Sequence, residues 1–343
     1  MSHFHSEIRE QPSVLAGLLD QEAIAGAADA LRGRAPSFIA TLARGSSNNS
    51  ARFFTYLAGT SLRLPAAALP LSMYSVHGTA PLADNVLAVG VSQSGRSEDV
   101  IKALTAFRSA GAATVGVSND PASGLAAAAE WHLAQQAGVE KAVAATKTMS
   151  SQMFALALLV AHWSGDAGLL AALQQVPAAV QQLLEAPPAA LKAAAASLEQ
   201  ARSVWLLGRG VNQAVAEETG LKLKETNYLD THSYSAAEVL HGPVAALETG
   251  ARAVMFALSD ASADSNLKTA RRFKELGASL TVIGSQPEML QLADFAVELP
   301  ALPPAAESFV QLAAGQLLVE ELTGLRGLDP DQPRHLSKVT VTV

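Results

Sequence analysis

The chain carries two copies of one pattern, and that duplication constrains its fold more than anything else in it. Val86–Asn119 and Ala253–Ser285 each read as an apolar run, a serine-bearing turn, a helical stretch, a glycine stop and a second apolar run. A second matched pair lies upstream. Phe38–Leu42 leads into Ala43-Arg44-Gly45-Ser46-Ser47, and Val204–Leu207 leads into Gly208-Arg209-Gly210-Val211-Asn212. A repeated pattern is the signature of a duplicated structural unit. The apolar runs are continuous rather than alternating, so each strand is covered on both faces, as in a parallel sheet. Parallel neighbours need crossovers, which the intervening helices supply with a right-handed sense. The expected fold class is therefore α/β, with two doubly wound, mostly parallel-sheet lobes, each a flavodoxin-like α/β/α layering. We expect a helical arm over 1–35, a first lobe over 36–165, linking helices over 166–200 broken at Pro187-Pro188, a second lobe over 201–330 and a tail over 331–343.

Composition removes several classes of function. The sequence has no cysteine, so disulfides, thiolate metal sites and cysteine nucleophiles are excluded. Its eight histidines show no ligand spacing, and we expect neither metal nor cofactor. The formal charge of −7 and the lack of a basic block argue against nucleic acid as a partner. The opening MSHFHSEIREQ has no apolar core, and the longest apolar run, Phe154–Val160, is too short to span a bilayer. We expect no membrane association and a cytoplasmic location.

Open α/β sheets bind ligands beyond the carboxyl ends of their strands, near helix N-termini. Ser92-Gln93-Ser94-Gly95-Arg96-Ser97 occupies such a place. Free amides of a first helical turn, rotatable serine hydroxyls and a glycine that admits close approach suit one phosphoryl group without a lysine. The polar turn at Ser46 and Ser47 follows the first strand and can face the same crevice. The equivalent turn of the second copy, Ser259–Asp264, carries two acids, so only the first lobe is expected to hold phosphate. Rival motifs fail: Gly90-x-Ser92-x-Ser94 lacks the last glycine of a nucleophile elbow. Gly208-Arg209-Gly210 lacks a third glycine, Gln213 standing in its place.

The densest polar stretch runs from Glu217 to His241. Lys222 and Glu225 share one helix face at i, i+3, and His241 precedes a helix stop at Gly242-Pro243. A carboxylate and a histidine are the usual pair for moving protons near neutrality. Read alone, Lys222–Glu225 is more often a surface ion pair and His241 a helix-end residue.

Taken in order, these segments resemble the sugar isomerase (SIS) family, in particular the isomerase half of glucosamine-6-phosphate synthase and stand-alone SIS-type amino-sugar-phosphate deaminases. The resemblance rests on Ala43–Ser47, Val91–Gly95, Gly138-Val139-Glu140 with Ala144-Ala145-Thr146-Lys147, Leu207–Gly210, Leu221–Glu225, Glu238–Pro243 and Gln332–Val341. It implies phosphate binding by Ser92, Gln93, Ser94 and Ser97, with Ser46 and Ser47 near the sugar. It implies a loop containing Ala144 and Ala145 closing over the sugar. It further implies Glu225 as the base between C1 and C2, Lys222 as its positioning partner, and His241 in ring opening. In the family that histidine comes from the neighbouring subunit, so a homodimer is implied. Lys338 would meet the sugar carbonyl. The sequence departs from synthases at Arg44, Arg96 and Ser97, and has no glutaminase segment with its cysteine. The expected activity is therefore deamination with isomerisation of an amino-sugar 6-phosphate, most simply glucosamine 6-phosphate to fructose 6-phosphate and ammonia. Plain aldose–ketose isomerisation, cleavage of a sugar-amine phosphate, and phosphosugar sensing without turnover are the alternatives.

Overall fold

The computed structural model describes residues 2–338. Three helices open the chain: α1 (His3–Arg9), α2 (Gln11–Leu18) and α3 (Glu22–Arg34). The first lobe follows as β1 (Phe38–Ala43), α4 (Gly45–Leu62), β2 (Ala66–Ala68), α5 (Ser72–Ser75), β3 (Val86–Val91), α6 (Glu98–Ser109), β4 (Ala113–Ser118), α7 (Gly124–Ala128), β5 (Trp131–Ala134) and α8 (Lys147–Ser164). Two helices, α9 (Ala167–Glu185) and α10 (Ala189–Leu198), follow, with the break at Pro187-Pro188. The second lobe is β6 (Ser203–Gly208), α11 (Asn212–Asn227), β7 (Asp230–Ser235), β8 (Arg252–Ala257), α12 (Ala263–Glu275), β9 (Ser279–Gly284), α13 (Pro287–Leu292), β10 (Phe295–Glu298) and α14 (Pro304–Leu325).

The duplication is complete at the level of topology. The sheets run β2-β1-β3-β4-β5 and β10-β9-β8-β6-β7, the same order read from opposite edges, with every described pairing parallel. The central strands bury nearly every side chain, which is why their sequences are unbroken apolar runs. In each sheet the winding reverses once, between β1 and β3 in the first and between β6 and β8 in the second. Such a reversal opens a crevice at the carboxyl edge.

The chain divides into two compact units. One comprises the stretches up to Pro12, Lys141–Thr146 and Gln175–Leu336; the other comprises Ser13–Glu140, Lys147–Gln174 and the chain from Ser337. In the first of these, Asp331 accepts hydrogen bonds from the amides of His3 and Phe4 at 2.6 and 2.9 Å, closing the start of α1 with the beginning of the tail. In the same unit α11 packs closely on β7. A Cβ at Gly220 would come within 2.2 Å of the Ser233 hydroxyl, so glycine permits the approach. No helix among the described residues is long and apolar enough to cross a membrane.

Candidate functional site

The serine turn forms where β3 ends, beside the end of β1: Ala43 and Val91, the last residues of the two strands, are register partners. Gly95 sits at φ +64°, and a Cβ there would lie 2.2 Å from the Ser123 hydroxyl, so the bend needs glycine twice over. Backbone bonds fix the rest: the Ser92 amide donates to Val117 at 3.1 Å, the Asn119 amide to Gln93 at 3.0 Å and the Leu125 amide to Gly95 at 3.0 Å. Ser97 occupies the N-cap of α6 yet makes no side-chain capping bond. Its hydroxyl instead lies 3.0 Å from that of Ser92, across the turn. The Ser94 hydroxyl accepts from the Arg96 amide at 3.2 Å. The plain capping role that a serine at this position ordinarily takes is thus absent, and hydroxyls converge where the first turn of α6 presents its amides.

On the β1 side, Ser46 and Ser47 lie in the first turn of α4. Ser47 is buried, and its hydroxyl accepts from the Gln152 amide on α8 at 3.0 Å, while Ser50 donates to the other end of Gln152 at 3.0 Å. Arg44, a departure in the sequence, is tied by its Nε to the buried Asp99 of α6 at 2.8 Å. That ion pair bridges the residue after β1 to the first turn of α6 and so braces both walls of the crevice. The equivalent second-lobe turn behaves differently: Asp260 accepts from the amide and hydroxyl of Ser262 at 2.8 and 2.5 Å, so its serine is taken up by a carboxylate of the same turn.

In the other unit, the Lys222–Glu225 pair is not the surface pair its spacing allows. The Lys222 side chain is 1 % exposed, with Nζ 2.5 Å from Glu225 and 3.3 Å from Glu218. Glu218 is fully buried, whereas Glu225 keeps 20 % of its side chain open. Burial by itself pushes the Lys222 ammonium down, but the carboxylates of Glu218 and Glu225 outweigh it and hold its pKa above the ordinary value. Glu218 was not singled out from sequence. Its i, i+4 spacing to Lys222 is visible there, but only its burial reveals it as the inner half of a clamp. Glu225 lines an open hollow of ≈ 690 Å³ with Lys224, Tyr228 and tail residues Arg334, His335 and Leu336. The tail is held there by the Arg334 guanidinium, 4.3 Å above the Tyr228 ring, and by the Arg334 amide donating to the Tyr228 hydroxyl at 3.2 Å.

His241 ends a short 3₁₀ helix, Glu238–His241, and Gly242 at φ +139° turns the chain sharply after it, the stop expected at Gly242-Pro243. Val239 and Ala236 anchor this segment in the core of the second lobe, leaving His241 exposed. Of the 138–147 loop, Ala144 is fully buried and Ala145 half-buried. Glu7 holds the loop's start by accepting from the amides of Lys141 and Ala142 at 2.5 and 3.1 Å. Lys338 pairs with Glu140 at 2.8 Å. Val339, Thr340 and Val341, the last residues of the tail motif, lie outside the described residues. No cluster of three metal-ligating side chains occurs among the described residues.

A model of the SIS domain family matches residues 36–162 and 197–321, the two lobes. The chain belongs to the SIS domain family. Within that family it is 33 % identical over 356 residues to a glutamine–fructose-6-phosphate aminotransferase of Aeropyrum pernix, covering 98 % of this chain and 56 % of the relative. A Thermus thermophilus protein of the same name is 32 % identical, again over 98 % of this chain and 58 % of its own. The chain thus spans a little over half the length of these relatives. Among solved structures, a Silicibacter pomeroyi protein provisionally described as a phosphosugar isomerase superposes with a TM-score of 0.88 at 34 % identity, over 96 % of this chain and all of its own. Glucosamine-6-phosphate deaminase of Thermotoga maritima shares the fold, with a TM-score of 0.77 at 21 % identity over 99 % of this chain and 100 % of its own.

Proposed function

We propose that this SIS protein is an amino-sugar-6-phosphate deaminase that works by isomerisation, with glucosamine 6-phosphate as its substrate. The observation that carries the reading is Glu225, a carboxylate open on one side and gripped on the other by a buried ammonium. A base fixed in this way keeps its geometry without losing access to a substrate proton. In this reading Ser92, Gln93, Ser94 and Ser97, with Ser46 and Ser47, take the phosphate end of the sugar, supported by the hydroxyls gathered at the α6 N-terminus. His241, from the second subunit of a homodimer, opens the ring. Glu225 then removes the C2 proton and returns it to C1. The 2-amino aldehyde becomes an enolamine and then a ketose imine. Water adds to that imine, ammonia leaves, and the ketose 6-phosphate remains. Lys222 holds Glu225, and Lys338 supplies a cationic partner for the carbonyl oxygen.

We read this proton transfer in the direction that releases ammonia. The test is ammonia release from glucosamine 6-phosphate. Glu225→Gln should lower the rate by a factor of at least about 100 while sugar-phosphate binding persists. Full activity in that variant would remove Glu225 from the mechanism. Interconversion of hexose 6-phosphates without ammonia would make the chain a plain isomerase, and binding without any turnover would make it a sensor.

A further inference from the structure

We propose that Glu140 is a positioning residue that clasps the C-terminal Lys338. The C-terminal cation would then be set in place by the start of α8 rather than by the tail itself. The Glu140 side chain is fully buried, an unusual place for a carboxylate unless its oxygens are engaged. They are. Oε1 accepts from the Thr148 amide at 3.0 Å, and Oε2 accepts from the Thr148 hydroxyl at 2.5 Å and from Lys338 Nζ at 2.8 Å. Thr148 is itself buried, at the second residue of α8, where the amide and the helix dipole both favour a negative charge. The carboxylate is therefore built into the helix start, and the ammonium is the part that can come and go. Lys338 keeps 26 % of its side chain open, so its nitrogen is held on one side and reachable from the other. The two partners are 198 residues apart in sequence. A lysine side chain has much rotamer freedom to lose, and a charge-assisted bond to a pre-set carboxylate is strong enough to offset it.

Only the consequence for turnover rests on the deaminase reading; the clasp itself is tested without substrate. Acylation of lysines by an amine-reactive ester, followed by peptide mass spectrometry, compares Lys338 with the exposed Lys192 in the same sample. In the unaltered chain Lys338 should react about tenfold more slowly than Lys192. Glu140→Gln should bring the two rates together, because its amide group turns a donor toward the ammonium while Oε1 keeps the Thr148 amide. Should that variant not fold, Thr148→Val keeps the carboxylate charge and removes a donor competing for Oε2, so Lys338 should then acylate a few-fold more slowly than in the parent. Equal rates for Lys338 and Lys192 in the unaltered chain overturn the clasp, as does a Lys338 rate that the folded variants leave unchanged. In turnover, Glu140→Gln and Lys338→Met should each lower kcat far more than they raise KM. The double variant should be no worse than the single ones, a non-additivity that a merely structural glutamate would not produce.

Discussion

Lys222 stands where a structural duty and the proposed positioning of Glu225 fall on one residue. Its ammonium lies between the buried Glu218 and the partly open Glu225. Taking three charges out of water is costly, and the arrangement persists because each carboxylate faces the same cation. Removing the cation should therefore destabilise the fold strongly: Lys222→Met is expected to cost about 3–5 kcal/mol in urea unfolding. Glu218→Gln keeps the ammonium and Glu225 and should cost clearly less. The sign of the pH dependence follows from the raised pKa. A base whose folded value exceeds its unfolded one contributes stability fully present below the ordinary 10.5. That contribution is lost as pH rises through the folded value. Alkaline titration of the melting temperature should show this loss, and Lys222→Met should abolish it. An alkaline profile identical in both proteins would mean the clamp contributes nothing to the fold.

At the scale of elements, the turn between β3 and α6 invites a separation of binding from stability. Because the Ser97 hydroxyl makes no capping bond, Ser97→Ala should leave thermal stability nearly unchanged, whereas loss of a working cap costs about 1 kcal/mol. The same substitution should weaken sugar-phosphate binding by a factor of roughly ten to a hundred, since a hydrogen bond to a charged group contributes about 1.5–3 kcal/mol. Isothermal titration with glucosamine 6-phosphate and a melting curve on the same sample decide it. A lowered melting temperature with unchanged affinity would return Ser97 to an ordinary cap. This turn was legible in the sequence because everything it needs is local: an apolar strand, a glycine that must bend, and serines at the start of a helix. The duplicated strands were legible for the same reason, their buried faces leaving unbroken apolar runs. What was not legible depends on distant partners. Glu7 reads as a solvated acid in a polar opening, yet it holds the amides of Lys141 and Ala142, and nothing in its own neighbourhood announces that. Glu218 lies one helical turn from a lysine, a spacing that surface pairs share, so only burial separates the clamp from ornament. The helix stop after His241 was legible too, since Gly242 at φ +139° and Pro243 end the helical turn there; that the turn is a short 3₁₀ segment was not.

For the whole molecule, duplication has kept topology and changed chemistry. Both sheets have one strand order and one winding reversal, but at the first lobe's turn the hydroxyls of Ser92 and Ser97 face one another, whereas at the second Asp260 takes up the hydroxyl of Ser262. The two turns no longer share their chemistry, and it is the second lobe that carries Glu225 and His241, the residues to which the proposed mechanism gives the proton transfers. His241 lies exposed on a segment anchored through Val239, which suits a residue offered to a second subunit. The proposed exchange of His241 has a test that depends on symmetry alone. Glu225→Gln and His241→Ala are each expected to be inactive as pure proteins. Unfolded together and refolded as a mixture, about half the dimers carry one chain of each kind. If each site takes Glu225 from one subunit and His241 from the other, a mixed dimer has one site with both defects and one with neither. About a quarter of the unaltered activity should then return, since half the dimers regain one of two sites. If both residues of a site come from the same chain, every site in every dimer holds one defect, and the mixture should stay as inactive as its parents. Size-exclusion chromatography of the refolded mixture verifies that dimers formed, so an inactive mixture of intact dimers would count against exchange of His241 rather than against refolding.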